Sequence, residues 1–197
     1  MKGKIPFILF LVMFLFFYSC KKDKKVAFVD NEFKLFNLEE SGWKSRSVAH
    51  NLSNISYTAT EVPIQYYILK SEGNENHQKI DSIYLAHKDE RVIEMEFEHI
   101  NRDDLLKGDY TNMDYESSVK YMAFSIEKDF QAITQSGDTI ACSGITFERN
   151  FKIAPFKRLL LHFGNIQEDE KIQLVYQDKL FGNGILKFKF KGTPIKL

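Results

Sequence analysis

Nucleophilic catalysis needs a serine or cysteine with a base beside it, and the sequence offers one short fragment of this type. Cys142-Ser143-Gly144 lacks the first glycine of a Gly-x-Ser-x-Gly elbow and lies in a strand-like stretch with no helix after it. The five histidines show no His-x-x-x-His spacing, and no Cys-x-x-Cys pair accompanies them. They are His50, His77, His87, His99 and His162. The sequence therefore predicts no catalytic residue, no metal site and no cofactor.

Carboxylates are dense in the polar connection from about residue 101 to residue 117, and calcium prefers oxygen ligands of this kind. The acidic residues are Asp103, Asp104, Asp109, Asp114 and Glu116. Their order does not match the EF-hand loop, in which acidic residues alternate before a glycine and a closing glutamate. A solvated loop is the simpler interpretation.

Aromatic side chains near the surface would suit the binding of a glycan or a peptide, since an apolar ring then carries a polar edge. Trp43 follows Gly42 in a turn-like stretch, and Tyr66 and Tyr67 are adjacent in an apolar segment. Trp43, Tyr66 and Tyr67 are therefore candidate ligand contacts. The alternative is that these aromatic residues pack in a β core or at its rim.

The N-terminal segment indicates a covalent modification. Lys2 and Lys4 precede an apolar run over residues 5–18, and Ser19-Cys20 ends it. As a helix the run would span about 21 Å, which is too short for the ~30 Å hydrocarbon core of a bilayer but is typical of a signal peptide. Residues 1–19 are therefore predicted to be removed and to take no part in the fold.

A small residue before a cysteine at the end of such a run resembles the bacterial lipoproteins, although Phe17 and Tyr18 depart from the residues usual in their motif. The resemblance implies cleavage before Cys20, diacylglycerol on its thiol and a membrane as partner. Residues 20–25 would then form a basic tether beside the headgroups. Because Lys21 is not an aspartate and the tether is basic, the resemblance further implies the outer membrane, with the domain facing the periplasm.

Composition excludes one class of partner and leaves one cysteine unpaired. Loss of Lys2 and Lys4 leaves the mature chain slightly acidic, whereas nucleic-acid binding needs a strongly basic face. The chain has two cysteines, so if Cys20 carries lipid, Cys142 has no disulfide partner. Cys142 ends the apolar run 139–142, where burial as a small hydrophobic residue is expected.

Residues 26–197 are predicted to form a single β-rich domain, because short segments alternate between apolar and polar residues and end at turn formers. The predicted strands are 62–69, 82–87, 91–99, 118–126, 129–134, 139–148, 159–163, 171–176 and 184–191. Segments 82–87 and 91–99 are expected to form a hairpin, and a helix fits 118–126 almost as well. Many short strands without long amphipathic helices predict an all-β fold, an antiparallel β-sandwich or an open barrel.

Two charged stripes lie on the polar faces of predicted strands. One is formed by Glu94, Glu96 and Glu98, the other by Lys187, Lys189 and Lys191. If the two strands were neighbours in one sheet, the opposite charges would pair across the ladder. On different sheets, the stripes would be separate solvated faces.

These features together predict a membrane-tethered protein of the cell envelope that is not an enzyme and that interacts with, or supports, another envelope component. Lipid would confine the domain to a surface and so raise its effective concentration near a partner. The alternative is a binding module for a small ligand, glycan or peptide, with Trp43 and the tyrosines as contacts.

Overall fold

The core is formed by strands whose apolar residues point to one side. The computed structural model describes residues 46–73, 75–148, 154–167 and 169–191. In the strand Arg91–His99, Ile93, Met95 and Phe97 have no exposed surface, while the glutamates between them face outward and are partly exposed. Burying one face of each strand removes apolar surface from water and is the main driving force for this fold.

Nine strands occur in the described residues, and every pair of neighbours is antiparallel. They are β1 (Arg46–Leu52), β2 (Ile55–Val62), β3 (Arg91–His99), β4 (Phe130–Thr134), β5 (Thr139–Ala141), β6 (Gly144–Glu148), β7 (Phe156–Phe163), β8 (Ile172–Asp178) and β9 (Gly184–Lys189). One sheet has five strands in the order β1-β2-β3-β7-β6, and the other has four in the order β5-β4-β8-β9. The sheets enclose one core without closing into a barrel, so the predicted β-sandwich is confirmed.

The predicted strand at 139–148 is divided between the two sheets. The amide of Cys142 donates to the Phe130 carbonyl in the four-stranded sheet over 3.4 Å, and that of Ser143 donates to the His162 carbonyl in the five-stranded sheet over 2.8 Å. The chain therefore changes sheets between two consecutive residues. Cys142 is half-buried against the core, and burial raises the pKa of its thiol.

Three helices lie in the described part of the chain: α1 (Ile64–Glu72), α2 (His77–His87) and α3 (Tyr115–Phe124). The predicted strands at 62–69 and 82–87, and with them the hairpin to β3, are therefore wrong. The apolar residues there also recur every three or four positions, which suits a helix. Pro63, with φ near −58°, begins α1, and the Asn76 side chain accepts from the Lys79 amide at the start of α2.

The α1–α2 pair covers the outer face of the five-stranded sheet. The Tyr67 hydroxyl donates to Glu94 on that face. Val92 points to the same side of β3, yet only 1% of its surface is exposed, and Ile68 and Ile80 of the two helices are also buried. A sheet face covered by helices needs apolar residues on both sides of its strands, and this weakens the alternation.

The segment 118–126, for which a strand and a helix fitted almost equally well, forms α3 and a following 3-10 turn (Ile126–Asp129). The Asp114 side chain caps α3 by accepting from the Ser117 amide over 2.9 Å. Met122 on this helix is fully buried in the main core. Strands β1 and β2 were not predicted.

The two charged stripes do not meet. Glu94, Glu96 and Glu98 lie on β3, whereas Lys187 and Lys189 lie on β9 of the other sheet, so pairing between the stripes is excluded. Glu96 instead lies opposite Arg158 of β7, whose Nε donates to it over 2.7 Å.

A buried carboxylate joins the two sheets. Asp178, at the end of β8, accepts from the hydroxyls of Tyr57 on β2 (2.7 Å) and Tyr176 on β8 (3.0 Å). It also accepts from the amides of Phe181 (2.9 Å) and Asn183 (3.2 Å). Only 4% of the Asp178 surface is exposed, so four donors replace water around this charge.

A second charged cluster lies where β1 begins. The Glu61 carboxylate pairs with Arg46, its cross-strand neighbour, and lies 3.7 Å from Arg91. All three side chains are at most 11% exposed. Arg91 also donates to the Gln167 carbonyl in the β7–β8 loop, so the cluster connects the paired strands β1 and β2 with that loop at this end of the sandwich.

The predicted signal peptide, the lipid-bearing Cys20, the basic tether and Trp43 all lie outside the described residues. Within the described ranges, no helix is long and apolar enough to span a bilayer.

Candidate functional site

The end of the sandwich opposite Arg46 is shaped by two tight connections. The β1–β2 turn places Ser53 and Asn54 at positive φ (50° and 65°), a region that asparagine tolerates better than most residues. The Ile100 amide donates to the Asn54 carbonyl over 2.8 Å, which holds the chain after β3 against this turn. Arg102 also has a positive φ, 62°, and its amide donates to the His99 carbonyl.

Between these connections lies an open cavity of about 440 Å³, which we call the turn cavity. Its lining combines amides, charged groups and aliphatic side chains. The residues are Asn51, Asn54, Ile55, Ser56, Glu98, His99, Ile100 and Arg102. A mostly apolar wall with a few placed polar groups is the usual composition of a small-molecule or peptide site.

Large aliphatic side chains stand in the open at the turn cavity. Ile100 is 72% exposed, and Leu52, whose cross-strand neighbour Ile55 lines the cavity, is 43% exposed. Single exposed aliphatic residues are common on protein surfaces. Two of them beside a concave site with hydrogen-bonding groups are typical of a contact surface.

The histidine that lines the turn cavity packs against an aromatic ring. His99 is 4% exposed, and its ring lies 4.6 Å from the Tyr110 ring. The Tyr110 hydroxyl donates to Asp103 over 2.8 Å, and this bond raises the pKa of Tyr110. The sequence carries His99, Asp103 and Tyr110 without any motif that would group them.

The acidic connection does not gather into one site. Asp104 pairs with Lys157 over 3.0 Å in the interior, Asp103 accepts from Tyr110, and Asp114 caps α3. Each of these carboxylates therefore has a structural partner. Within the described ranges, no three histidine, cysteine or acidic side chains are arranged to hold a metal ion.

Tyr66 and Tyr67, two of the candidate ligand contacts, lie on α1 and do not line the turn cavity. They do not line a second open cavity either, which is formed by residues of β4, β8 and β9 and by Phe190. Their rings meet edge to face at 5.2 Å, and Lys70 lies 6.0 Å from the Tyr66 ring. Burial, and then the bond to Glu94, raise the pKa of Tyr67. Tyr67 is thus engaged in holding α1 to the sheet, while Tyr66 is half-buried.

One arrangement resembles part of a catalytic triad. The Glu90 carboxylate lies between two imidazoles, 2.7 Å from Nδ1 of His162 and 3.1 Å from Nδ1 of His87. The nearby Ser143 hydroxyl, however, donates to the His162 backbone carbonyl over 3.0 Å. A nucleophilic serine needs its bond to the imidazole ring, so this geometry orients a histidine without activating the serine.

Comparison with known proteins yields one distant structural likeness. No protein-family model and no curated protein matches the chain. The crystal structure of a DUF4426 family protein from Pseudomonas aeruginosa PAO1 aligns with a TM-score of 0.39 and 11% sequence identity. The alignment covers 76% of this chain and 97% of that one. A likeness this distant assigns no function.

Proposed function

We propose that this protein is a lipoprotein of the bacterial cell envelope whose β-sandwich presents the turn cavity to another envelope component. Its place would be the outer membrane, facing the periplasm. The observation that carries the interaction is the exposure of Ile100 and Leu52 beside a concave, hydrogen-bonding surface. The lipid anchor is supported by the apolar leader and Ser19-Cys20.

The position of the turn cavity suits a tethered domain. The first described strand, β1, begins at Arg46 and runs to Leu52 at the cavity. From Cys20 to Arg46 a fully extended chain would reach at most about 90 Å. The lipid would thus confine the domain near the membrane, and the turn cavity lies at the end of β1 that is farther along the chain from Cys20. Confinement raises the encounter rate with a membrane-bound partner without any added contact.

The anchor is tested by the mass of the mature protein. We expect protein extracted from membranes to begin at Cys20 and to carry acyl chains there, because the run 5–18 has the length of a signal peptide. The Cys20→Ser variant should lose both the added mass and its membrane association. A mature chain that begins elsewhere, or an unmodified Cys20 in membrane extracts, would contradict the anchor.

The contact surface is tested with a photo-crosslinking residue introduced in cells. At position 100 we expect a discrete adduct with another envelope protein; at position 124 we expect none, although Phe124 is just as exposed, at 76%. The further change Leu52→Ser should remove the adduct at position 100. Its cost in stability should stay within about 0.5 kcal/mol, since the side chain is largely exposed. Equal adducts at both positions, or an adduct that survives Leu52→Ser, would count against this surface.

A small ligand is the second candidate for the turn cavity. Asn51, Asn54 and Arg102 supply donors next to Ile55 and Ile100, a combination that also fits a glycan or a short peptide. A binding signal with free glycans or peptides, lost in Asn54→Ala, together with no protein adduct at position 100, would favour this function over the first.

A further inference from the structure

The outer face of the four-stranded sheet carries a group of lysines. Outward-facing positions of β9 carry Lys187 and Lys189, and Lys171 and Lys191 lie just before β8 and just after β9. All four lysines are exposed. We call this surface the lysine face.

In the four described strands of this sheet, no outward-facing position holds a carboxylate. Those positions hold glutamine, threonine, alanine and aliphatic residues besides the lysines. Glu170, which precedes Lys171 in the chain, is turned to the Gln135 amide, which donates to it over 2.8 Å. The positive charge of the lysine face is therefore not neutralised within the sheet.

The opposite outer face of the sandwich has the reverse character. Glu94, Glu96 and Glu98 lie on it, and Arg158 is the cation that reaches Glu96 and Glu148. The outward strand positions of the two sheets thus carry net charges of opposite sign, and α1 covers part of the acidic face. In the field of a charged surface, such a domain has one preferred orientation.

The lysine face also contains a cavity that could hold small anionic groups, and it exposes an apolar side chain. An open cavity of about 450 Å³ is lined by Lys171 and Lys189 together with Thr134 and Gln173. On the same face Ile185 is 65% exposed. Cations that hold phosphate next to aliphatic side chains at headgroup depth are the usual composition of a membrane-contacting surface.

The first described strand begins beside this cavity. The Arg46 guanidinium, at the start of β1, lies 5.7 Å from the ring of Phe190, which lines the same cavity. The end of β1 that is nearer to Cys20 along the chain therefore lies close to the edge of the lysine face.

We infer that the lysine face lies on the anionic lipid headgroups of the membrane to which the protein is anchored. This inference rests on the proposed lipid anchor. Each lysine near an anionic bilayer contributes up to about 1 kcal/mol, and the attraction falls off within a Debye length. The anchor supplies the attachment, and the lysine face sets the orientation of the domain on the surface.

Amine labelling of the full lipidated protein in vesicles tests the orientation. Vesicles of phosphatidylcholine alone are compared with vesicles in which part of it is replaced by phosphatidylglycerol, and the labelling rate of each lysine is read by mass spectrometry. With the anionic lipid we expect Lys171, Lys187 and Lys189 to react at least about threefold more slowly. Lys88 and Lys107, exposed elsewhere, serve as controls and should not change. In ~1 M salt, where the Debye length is about 3 Å, the protection should disappear.

The remaining arms separate the alternatives. The double variant Lys187→Gln with Lys189→Gln should lose the protection of Lys171 while still floating with the vesicles. Equal labelling on the two kinds of vesicle, or equal protection of Lys88 and Lys107, would overturn the inference. Protection by soluble glycerol phosphate without vesicles would also overturn it, because the site would then bind a free anion. A chain that fails to float even with neutral vesicles would contradict the lipid anchor itself, which is a different result.

Discussion

Replacing Asp178 by alanine should lower the free energy of unfolding by about 4 kcal/mol, since each buried donor left without an acceptor costs about 1–3 kcal/mol. Two tyrosine hydroxyls and two backbone amides donate to this carboxylate, and 4% of its surface is exposed. The chain after β8 and the packing of β2 against β8 both depend on it. Urea denaturation followed by circular dichroism measures the loss.

Matched variants separate the contribution of this network from that of a lost charge. Asp109→Ala makes the same chemical change at an exposed position and should alter stability by less than about 0.5 kcal/mol. Tyr57→Phe removes one of the four hydrogen bonds to Asp178 and also the acceptor of the Asn183 side-chain amide, and it should cost about 1–2 kcal/mol. A cost for Asp178→Ala no greater than that for Tyr57→Phe would show that the carboxylate does not organise the network.

The pH dependence gives a second readout of the same site. Burial, and after it Asp178, raise the pKa of Tyr57 and of Tyr176 in the folded protein. Because the folded pKa of each tyrosine exceeds the unfolded value near 10, the folded protein favours the neutral hydroxyl, and this contribution to stability is complete at neutral pH. It is lost as the pH rises above about 10, by about 1.4 kcal/mol per pH unit for each tyrosine. In Asp178→Ala, where the carboxylate no longer contributes to the two raised pKa values, the decline should end at a lower pH.

The Glu61→Gln variant should lose about 3–4 kcal/mol of stability, which is typical when one partner of a buried ion pair is removed. Glu61 is 5% exposed and is the carboxylate that faces Arg46 and Arg91. Burial, and then the neighbouring Arg91, lower the pKa of Arg46 to about 10, so its charge is already unfavourable in this position. An amide of the same shape leaves two guanidinium groups close together in the interior.

The test includes a rescue and a control. Arg46→Met combined with Glu61→Gln should recover part of the loss, because one of the two like charges is then gone. Glu98→Gln breaks an exposed pair with Arg102 and should cost less than about 1 kcal/mol. If Glu61→Gln cost no more than Glu98→Gln, or if Arg46→Met gave no recovery, the cluster would not be a structural unit.

Alternation predicted those strands that have one buried and one solvated face. In β9, Leu186 and Phe188 are buried while Lys187 and Lys189 are exposed, and the pattern marks the strand directly. Around α1 the alternation pattern fails, because the same apolar residues satisfy a period of two and a period of 3.6. Whether the segment forms a strand or a helix depends on its packing over Val92 of β3, which is buried. Local spacing contains no information about that distant contact.

The turn cavity could not be predicted from the sequence for a similar reason. Asn54 and Ile100 meet through one backbone hydrogen bond between segments far apart in the chain, and neither residue belongs to a motif. Glu90 directly precedes β3, and His162 lies on β7. Only the antiparallel pairing of these two strands brings the two residues together. Sequence analysis could identify the residue types, but register and strand order determine which of them become neighbours.

The passage of the chain back and forth between the sheets governs when the protein can fold. After β3 the chain leaves the five-stranded sheet for β4 and β5, returns for β6 and β7, and leaves again for β8 and β9. Arg91 of β3 pairs with Phe163 of β7, and Phe130 of β4 pairs with Tyr176 of β8, so both pairings require strands that are synthesised much later. Pairings over such long loops carry a large closure entropy and are slow to form. During synthesis the first three described strands can pair with one another, with α1 and α2 between β2 and β3, but their apolar inner face stays uncovered until nearly the whole chain has emerged. Slow folding of a nascent chain with this topology would suit the export through a translocation channel that the proposed lipid anchor requires.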